Sequence, residues 1–160
     1  MDKYYYFVSQ LPFLIFGQES YISKGRFLDE AGKWLPEKDF LIISRVSLND
    51  FYPRDEDNEI LAKYKNFERT LREEIASFRR NENRGGTSVN LNLNQGTPLE
   101  IERRLLGLRW EFIESLEGGH FFDLEILILH FLKIQVLERL LTFDNERGTV
   151  VFDKLCEIAR

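Results

Sequence analysis

Site chemistry needs residues that trade protons, attack a substrate or hold a metal. This 160-residue sequence offers few of them in useful spacing. His120 and His130 are its two histidines, ten positions apart and with no cysteine-rich context. A metal site built on them would need further Asp or Glu ligands that the sequence does not place. His130 lies in an apolar helical pattern and is expected to be a hydrogen-bonded structural histidine. His120 follows Gly118-Gly119 and is expected to serve a turn. Cys156 is alone, so it has neither a disulfide partner nor a zinc site. A single thiol suits a reduced cytoplasmic setting. Glu138-Arg139 and Asp144–Glu146 could be drawn as acid/base pairs, but they are expected to be solvated groups at a helix end. Arg84-Gly85-Gly86-Thr87 lacks the Lys-Ser/Thr pair of a phosphate-cradling loop. No nucleophile elbow and no His-Glu-x-x-His pattern occurs. The sequence therefore assigns no catalytic, cofactor-binding or metal residue, and a non-enzymatic protein without cofactor is expected.

The bulk composition sets further bounds. The formal net charge is −5, which argues against a dedicated nucleic-acid binder. Basic residues between Lys63 and Arg84 alternate with Glu68, Glu73, Glu74 and Glu82, the pattern of a solvated mixed face. Leu124 to Leu141 is the most apolar stretch. Glu125, Lys133, Glu138 and Arg139 interrupt it, so it is expected to be a buried core helix rather than a membrane span. Met1 to Phe16 lacks a basic n-region and a small-residue cleavage site, so no signal peptide is expected. The 14 Phe, 6 Tyr and 2 Trp could serve a core or an interface.

Along the chain, apolar residues recur at helical spacing. Lys3 to Phe16 predicts a short helix or extended piece broken near Leu11-Pro12. Ser23 caps a helix over Lys24 to Trp34 whose face carries Phe27, Leu28, Ala31 and Trp34. Pro36 stops it and can open the next one. Phe40 to Leu48 predicts a short core helix, with a strand as the alternative because of Ile42, Ile43 and Val46. Asn49 to Asn58, with Pro53, predicts a loop. Glu59 to about Glu82 is the clearest helix, with Ile60, Tyr64, Phe67, Leu71, Ile75 and Phe78 on one stripe and Glu59/Lys63 and Glu68/Arg72 pairs on other faces. Residues 83–96, rich in Gly and Asn, predict a flexible loop between an N-terminal half (1–82) and a C-terminal half (97–160).

Thr97-Pro98-Leu99-Glu100 is a helix start with a capping box. Ile101, Leu105, Leu108, Phe112 and Leu116 form its buried stripe, and Gly118-Gly119 ends it. Gly107 suggests a close helix contact. A last long helix is predicted from about Phe122 to Leu141, with Asp123 at its positive end. A turn is expected over Asp144 to Gly148, then a closing helix from about Thr149 carrying Val151, Phe152, Leu155 and Ile158. Phe67, Phe78, Phe112, Phe131 and Phe152 are expected in the core. Tyr4, Tyr5 and Tyr6 cannot all face inward, so at least one is expected at a surface. The fold class is all-α: one domain over 1–160, a bundle of about six helices.

Two segments carry a resemblance. Lys3 to Leu14 reads KYYYFVSQLPFL, with Tyr4, Tyr5, Tyr6, Leu11 and Pro12. Phe121 to Leu155 reads FFDLEILILHFLKIQVLERLLTFDNERGTVVFDKL, with Phe121, Phe122, Asp123, Leu132, Lys133, Glu138, Arg139, Asp144, Gly148, Phe152 and Leu155. Together they resemble an uncharacterised bacterial family encoded with the components of V-type (A-type) ATPases. That family looks like a divergent, shortened counterpart of the C-type stalk component of these ATPases, called d-type in eukaryotes. The resemblance implies part of the all-α funnel fold of that component and a non-catalytic adaptor that seats the central shaft on the membrane rotor ring. The shaft and the rotor ring would be its partners, and it would sit in the cytoplasm, peripherally at the inner membrane. The alternative is a freestanding helical binding or regulatory module associated with the same operon.

Overall fold

A computed structural model describes the backbone of residues 2–19, 22–80 and 92–158, and the side chains of 3–19, 22–80 and 92–143. Its elements are α1 (Asp2–Gln10), α2 (Lys24–Trp34), α3 (Glu37–Ser44), α4 (Glu59–Arg80), α5 (Pro98–Leu116) and α6 (Leu124–Ile158). The described residues thus form an all-helical bundle of six helices. The predicted flexible loop lies outside them over 83–91, as do the side chains of Asp144, Phe152, Leu155 and Cys156; Gly148 is described by its backbone alone.

α1 resolves the ambiguity of the N-terminal stretch as a helix. Phe7 is buried, with Tyr4, Val8 and Leu11 packed beside it. Spacings of three and four put these residues on one face. The helix ends where Pro12 disfavours a helical Leu11. α2 opens on Ser23, whose hydroxyl accepts from Arg26 N at 3.2 Å. It buries Phe27 and Ala31.

α3 starts directly after Pro36 and runs as a helix, so the strand alternative falls. It stops at Ser44, short of the predicted Leu48. Gln135 of α6 takes over there: its amide donates to Val46 O (3.1 Å) and accepts from Leu48 N (2.9 Å). Those two bonds satisfy backbone that a further helical turn would otherwise have paired. Tyr64 adds a hydroxyl donated to Leu48 O at 2.9 Å.

α6 is the central element. Leu127, Ile128, Leu129, Phe131, Leu132, Ile134 and Val136 are all fully buried. A helix apolar on nearly every side must have neighbours on every side. α5 runs along it most extensively, and α2 and α3 also pack on it. Its backbone continues unbroken through Asp144–Gly148, where a turn and a separate closing helix were expected. The segment holds no proline, and one glycine costs only about 1 kcal/mol in a helix, too little to break an established one. One core draws on all six helices, with Phe7, Phe27, Ile43, Tyr64, Leu106 and Leu127 among its members. A small satellite around Leu71 and Leu105 lies between α4 and α5. Among the described residues no helix is long and apolar enough to cross a membrane.

The capping box is formed: Glu100 N donates to Thr97 Oγ1 (3.3 Å), and Thr97 N to Glu100 Oε2 (2.7 Å). At Gly107 the neighbour is the Phe16 ring, from the α1–α2 connection, rather than a helix. A methyl there would sit 3.7 Å from Phe16 Cζ, an ordinary contact, so glycine is not needed for space.

Candidate interaction surface

The unusual surface of the molecule is aromatic. Tyr5 and Tyr6 point away from the core because Tyr4, Phe7, Val8 and Leu11 occupy the inner face of α1. They are 52% and 54% exposed, beside Phe121 at 69% and Phe122 at 47%. The rings touch in sequence. Phe122 lies 4.8 Å from Tyr5, Tyr5 meets Tyr6 edge-on at 5.9 Å, and Tyr6 stacks on Trp34 at 6.1 Å. Three elements build this strip: the outer face of α1, the C-terminal end of α2, and the turn before α6. Contiguous exposed apolar surface of this kind marks contact sites. Aromatic anchors suit such sites because they present large area at small entropic cost.

The strip is fixed from below. Tyr4 donates its hydroxyl to Asp39 of α3, locking α1 across the bundle. Burial, then that bond and the Asp39 and Glu125 carboxylates, push the Tyr4 phenol up to about 12. Asp123 caps α6 by accepting from Ile126 N at 2.9 Å, and its other oxygen holds His120 Nδ1 at 2.7 Å. His120 thus serves the turn, as expected. Glu125 accepts from Asn58 Nδ2 at 2.7 Å. His120, Asp123 and Glu125 bring donor atoms within 4.8 Å of one another, a grouping the sequence did not place. Those bonds occupy each of the three. The positive end of the α6 dipole also opposes a cation there.

Several signature residues turn out to be clamps between helices. Glu138 accepts from Lys24 N at 2.7 Å, capping the start of α2 from α6. Arg139 pairs with Glu102 of α5 at 2.8 Å. Neither sits at a solvated helix end, because α6 does not end there. Lys133 is buried, 2.7 Å from Glu117 and 3.5 Å from Glu114, with its ammonium 4.9 Å from the Trp110 ring centre. Leu11 and Pro12 make the turn after α1.

The mixed face expected on α4 is partly internal. Glu68 is completely buried and takes two bonds from Arg109 of α5, both 2.8 Å, plus one from Arg72 at 2.9 Å. Lys65 is buried too, 3.0 Å from Asp50 and 2.8 Å from Asp57, which ties the 49–58 loop to α4. Burial is the largest single influence on Asp50 and opposes its ionisation, but the Lys65 bond, the Tyr52 N–H and the Lys65 and Arg54 charges together outweigh it, and the carboxyl lies below its ordinary value. The Glu59–Lys63 pair stays exposed, as expected. A sequence cannot announce that Glu68 is internal, since its partner Arg109 is 41 positions away.

His130 differs from expectation. Its Nε2 is buried without a hydrogen-bond partner. Burial, helped by the Lys133 charge, pushes the imidazole down to about 4, so it is neutral at pH 7. It stacks against Phe27 at 6.1 Å.

No protein-family model, curated protein or solved structure matches this chain.

Proposed function

We propose that this all-helical module is a non-catalytic coupling component of a bacterial V-type (A-type) ATPase, linking central shaft and rotor ring. The observation that carries the reading is the aromatic strip Phe122–Tyr5–Tyr6–Trp34, the run of touching rings on a bundle whose other exposed large apolar groups among the described residues include Phe13, Ile15, Leu41 and Tyr52. A coupling protein needs a stiff body and a contact face. The interhelix clamps of Glu138 and Arg139, with Gln135 holding the backbone after α3, supply stiffness, and the strip supplies the face.

The motor assignment rests on the sequence resemblance. The two segments that carry it, Lys3 to Leu14 and Phe121 to Leu155, meet in the strip through Tyr5 and Phe122.

The test is capture of the tagged full chain from its native membranes, with mass spectrometry of what is retained. The proposal expects the ATPase shaft and ring proteins in stoichiometric amounts. Recovery of unrelated proteins, with an intact ATPase left behind, would replace it with the freestanding regulatory module.

A further inference from the structure

The outer face of α5 carries a groove of about 610 Å³. Its lining residues recur along the helix at spacings of three and four, and Phe16 of the α1–α2 connection stands opposite them. Leu105 and Leu108 make its sides apolar, and Gly107 lies between them. A glycine weakens a helix interior relative to alanine. A methyl at Gly107 would meet only the Phe16 ring, at 3.7 Å, an ordinary contact. Packing among the described residues therefore does not call for glycine here. What the missing side chain does provide is depth in the groove.

The charges along the groove are unevenly matched. Arg104 is held by carbonyls, those of Asn92 at 2.8 Å, Glu100 at 3.4 Å and Gln95. The Glu100 carboxylate is engaged in the capping box of α5. Arg103 makes no hydrogen bond or ion pair among the described residues. Its guanidinium lies over the Phe16 ring, 5.9 Å from the centre. Gly17, at φ +82°, leaves room for it, since a methyl there would come within 2.9 Å of Arg103 Nη2. A guanidinium resting on a ring keeps its donor fork available, and that fork fits a carboxylate with two parallel bonds. Glu111 is exposed at the other end, about 12 Å further along the axis at the usual helical rise. The groove is thus positive at one end, negative at the other and apolar between.

We infer that this groove binds a small molecule with an apolar body and one carboxylate. The carboxylate pairs with Arg103, and the body lies over Gly107 between Leu108 and Phe16. Glu111 disfavours a second negative charge at the far end. One guanidinium with free donors balances a singly charged carboxylate better than a dianionic phosphate. Apolar walls with a few placed polar groups are the common form of small-molecule sites. The site is independent of the coupling role and of the aromatic strip.

The test uses the full chain labelled with ¹⁵N-arginine and four probes of one chain length: octanoate, 1-octanol, octylamine and octanedioate. Octanoate is expected to shift the Arg103 Nε–H signal saturably and to bind about fivefold tighter than 1-octanol, the upper end for an exposed ion pair. Octylamine and octanedioate are expected to bind no tighter than 1-octanol. In Arg103→Gln the preference for octanoate over 1-octanol should fall to within about twofold, as loss of that pair requires. Gly107→Leu puts a side chain into the groove. Its thermal midpoint should stay at or above that of the wild type, because leucine favours helix over glycine, while saturable octanoate binding disappears. If Gly107→Leu does not fold, the probe ranking and Arg103→Gln decide. Absence of a saturable shift with octanoate, equal binding of any other probe, a preference that survives in Arg103→Gln, or unchanged binding in a folded Gly107→Leu would each overturn the inference.

Discussion

The α4–α5 seam and the outer face of α1 invert the usual placement of residues. At the seam Glu68 and Arg109 lie inside, and Lys65 lies inside next to it, against the 49–58 loop; on α1, Tyr5 and Tyr6 lie outside beside Phe121 and Phe122. The difference lies in how far each is satisfied. Every charge at the seam has near, well-directed partners, so the network is complete within the chain. The Tyr5 and Tyr6 rings meet each other, Phe122 and Trp34 on one side and solvent on the other. The buried charges are matched within the chain, whereas the exposed rings leave a face open to contact.

Breaking the seam should produce the largest effect. Glu68→Ala leaves the Arg109 guanidinium without its carboxylate, and removal of one partner of a buried pair costs about 3–5 kcal/mol. Urea denaturation checks this. Replacing both partners, as in Glu68→Leu with Arg109→Leu, should recover most of the loss; a double variant as unstable as the single one would mean that packing, rather than the uncompensated charge, sets the cost.

His130 gives the next effect, through pH. Its folded value is pushed down to about 4 from an ordinary 6.5. The unfolded chain therefore takes up a proton between those values that the folded chain refuses. Stability contributed by the neutral ring is present above pH 6.5 and is lost as pH falls towards 4, by about 3 kcal/mol in all. Denaturation at several pH values should show this slope in the wild type, and His130→Leu should flatten it between pH 6.5 and 4.5.

Much of the helical layout was legible in the sequence because its signals are local. Ser23 and the Thr97–Glu100 box each act within one turn, and the α4 stripe repeats every three or four residues. What failed was long-range. Glu68 looked like a surface residue paired with Arg72, and only Arg109 makes it internal. Glu138 looked like a helix-end charge, yet it caps α2 from 114 positions away. The expected Asp144–Gly148 turn gives way to continuous helix because the segment holds no proline and its one glycine is too weak to end α6. The strip was half visible: three consecutive tyrosines had to place one ring outside, but nothing in sequence joined Tyr5 to Phe122.

Thr97→Ala should cost about 1 kcal/mol, the usual worth of such a cap. Thermal unfolding would register it, and an unchanged midpoint would show that α5 does not depend on its box. The smallest effect on stability should come from the strip itself. Tyr5→Ala and Tyr6→Ala should each change it by about 0.5 kcal/mol or less, as surface substitutions do. A large loss in denaturation would instead make these rings part of the fold.

The central claim, that the α1 face meets the ATPase, is tested most directly by photo-crosslinking in native cells. A benzophenone amino acid at Tyr6 would be compared with the same group at Ser77, exposed on α4. The account predicts crosslinks from Tyr6 to a shaft or ring protein of the ATPase and none from Ser77. No ATPase crosslink from Tyr6, or equal crosslinks from both positions, would contradict it.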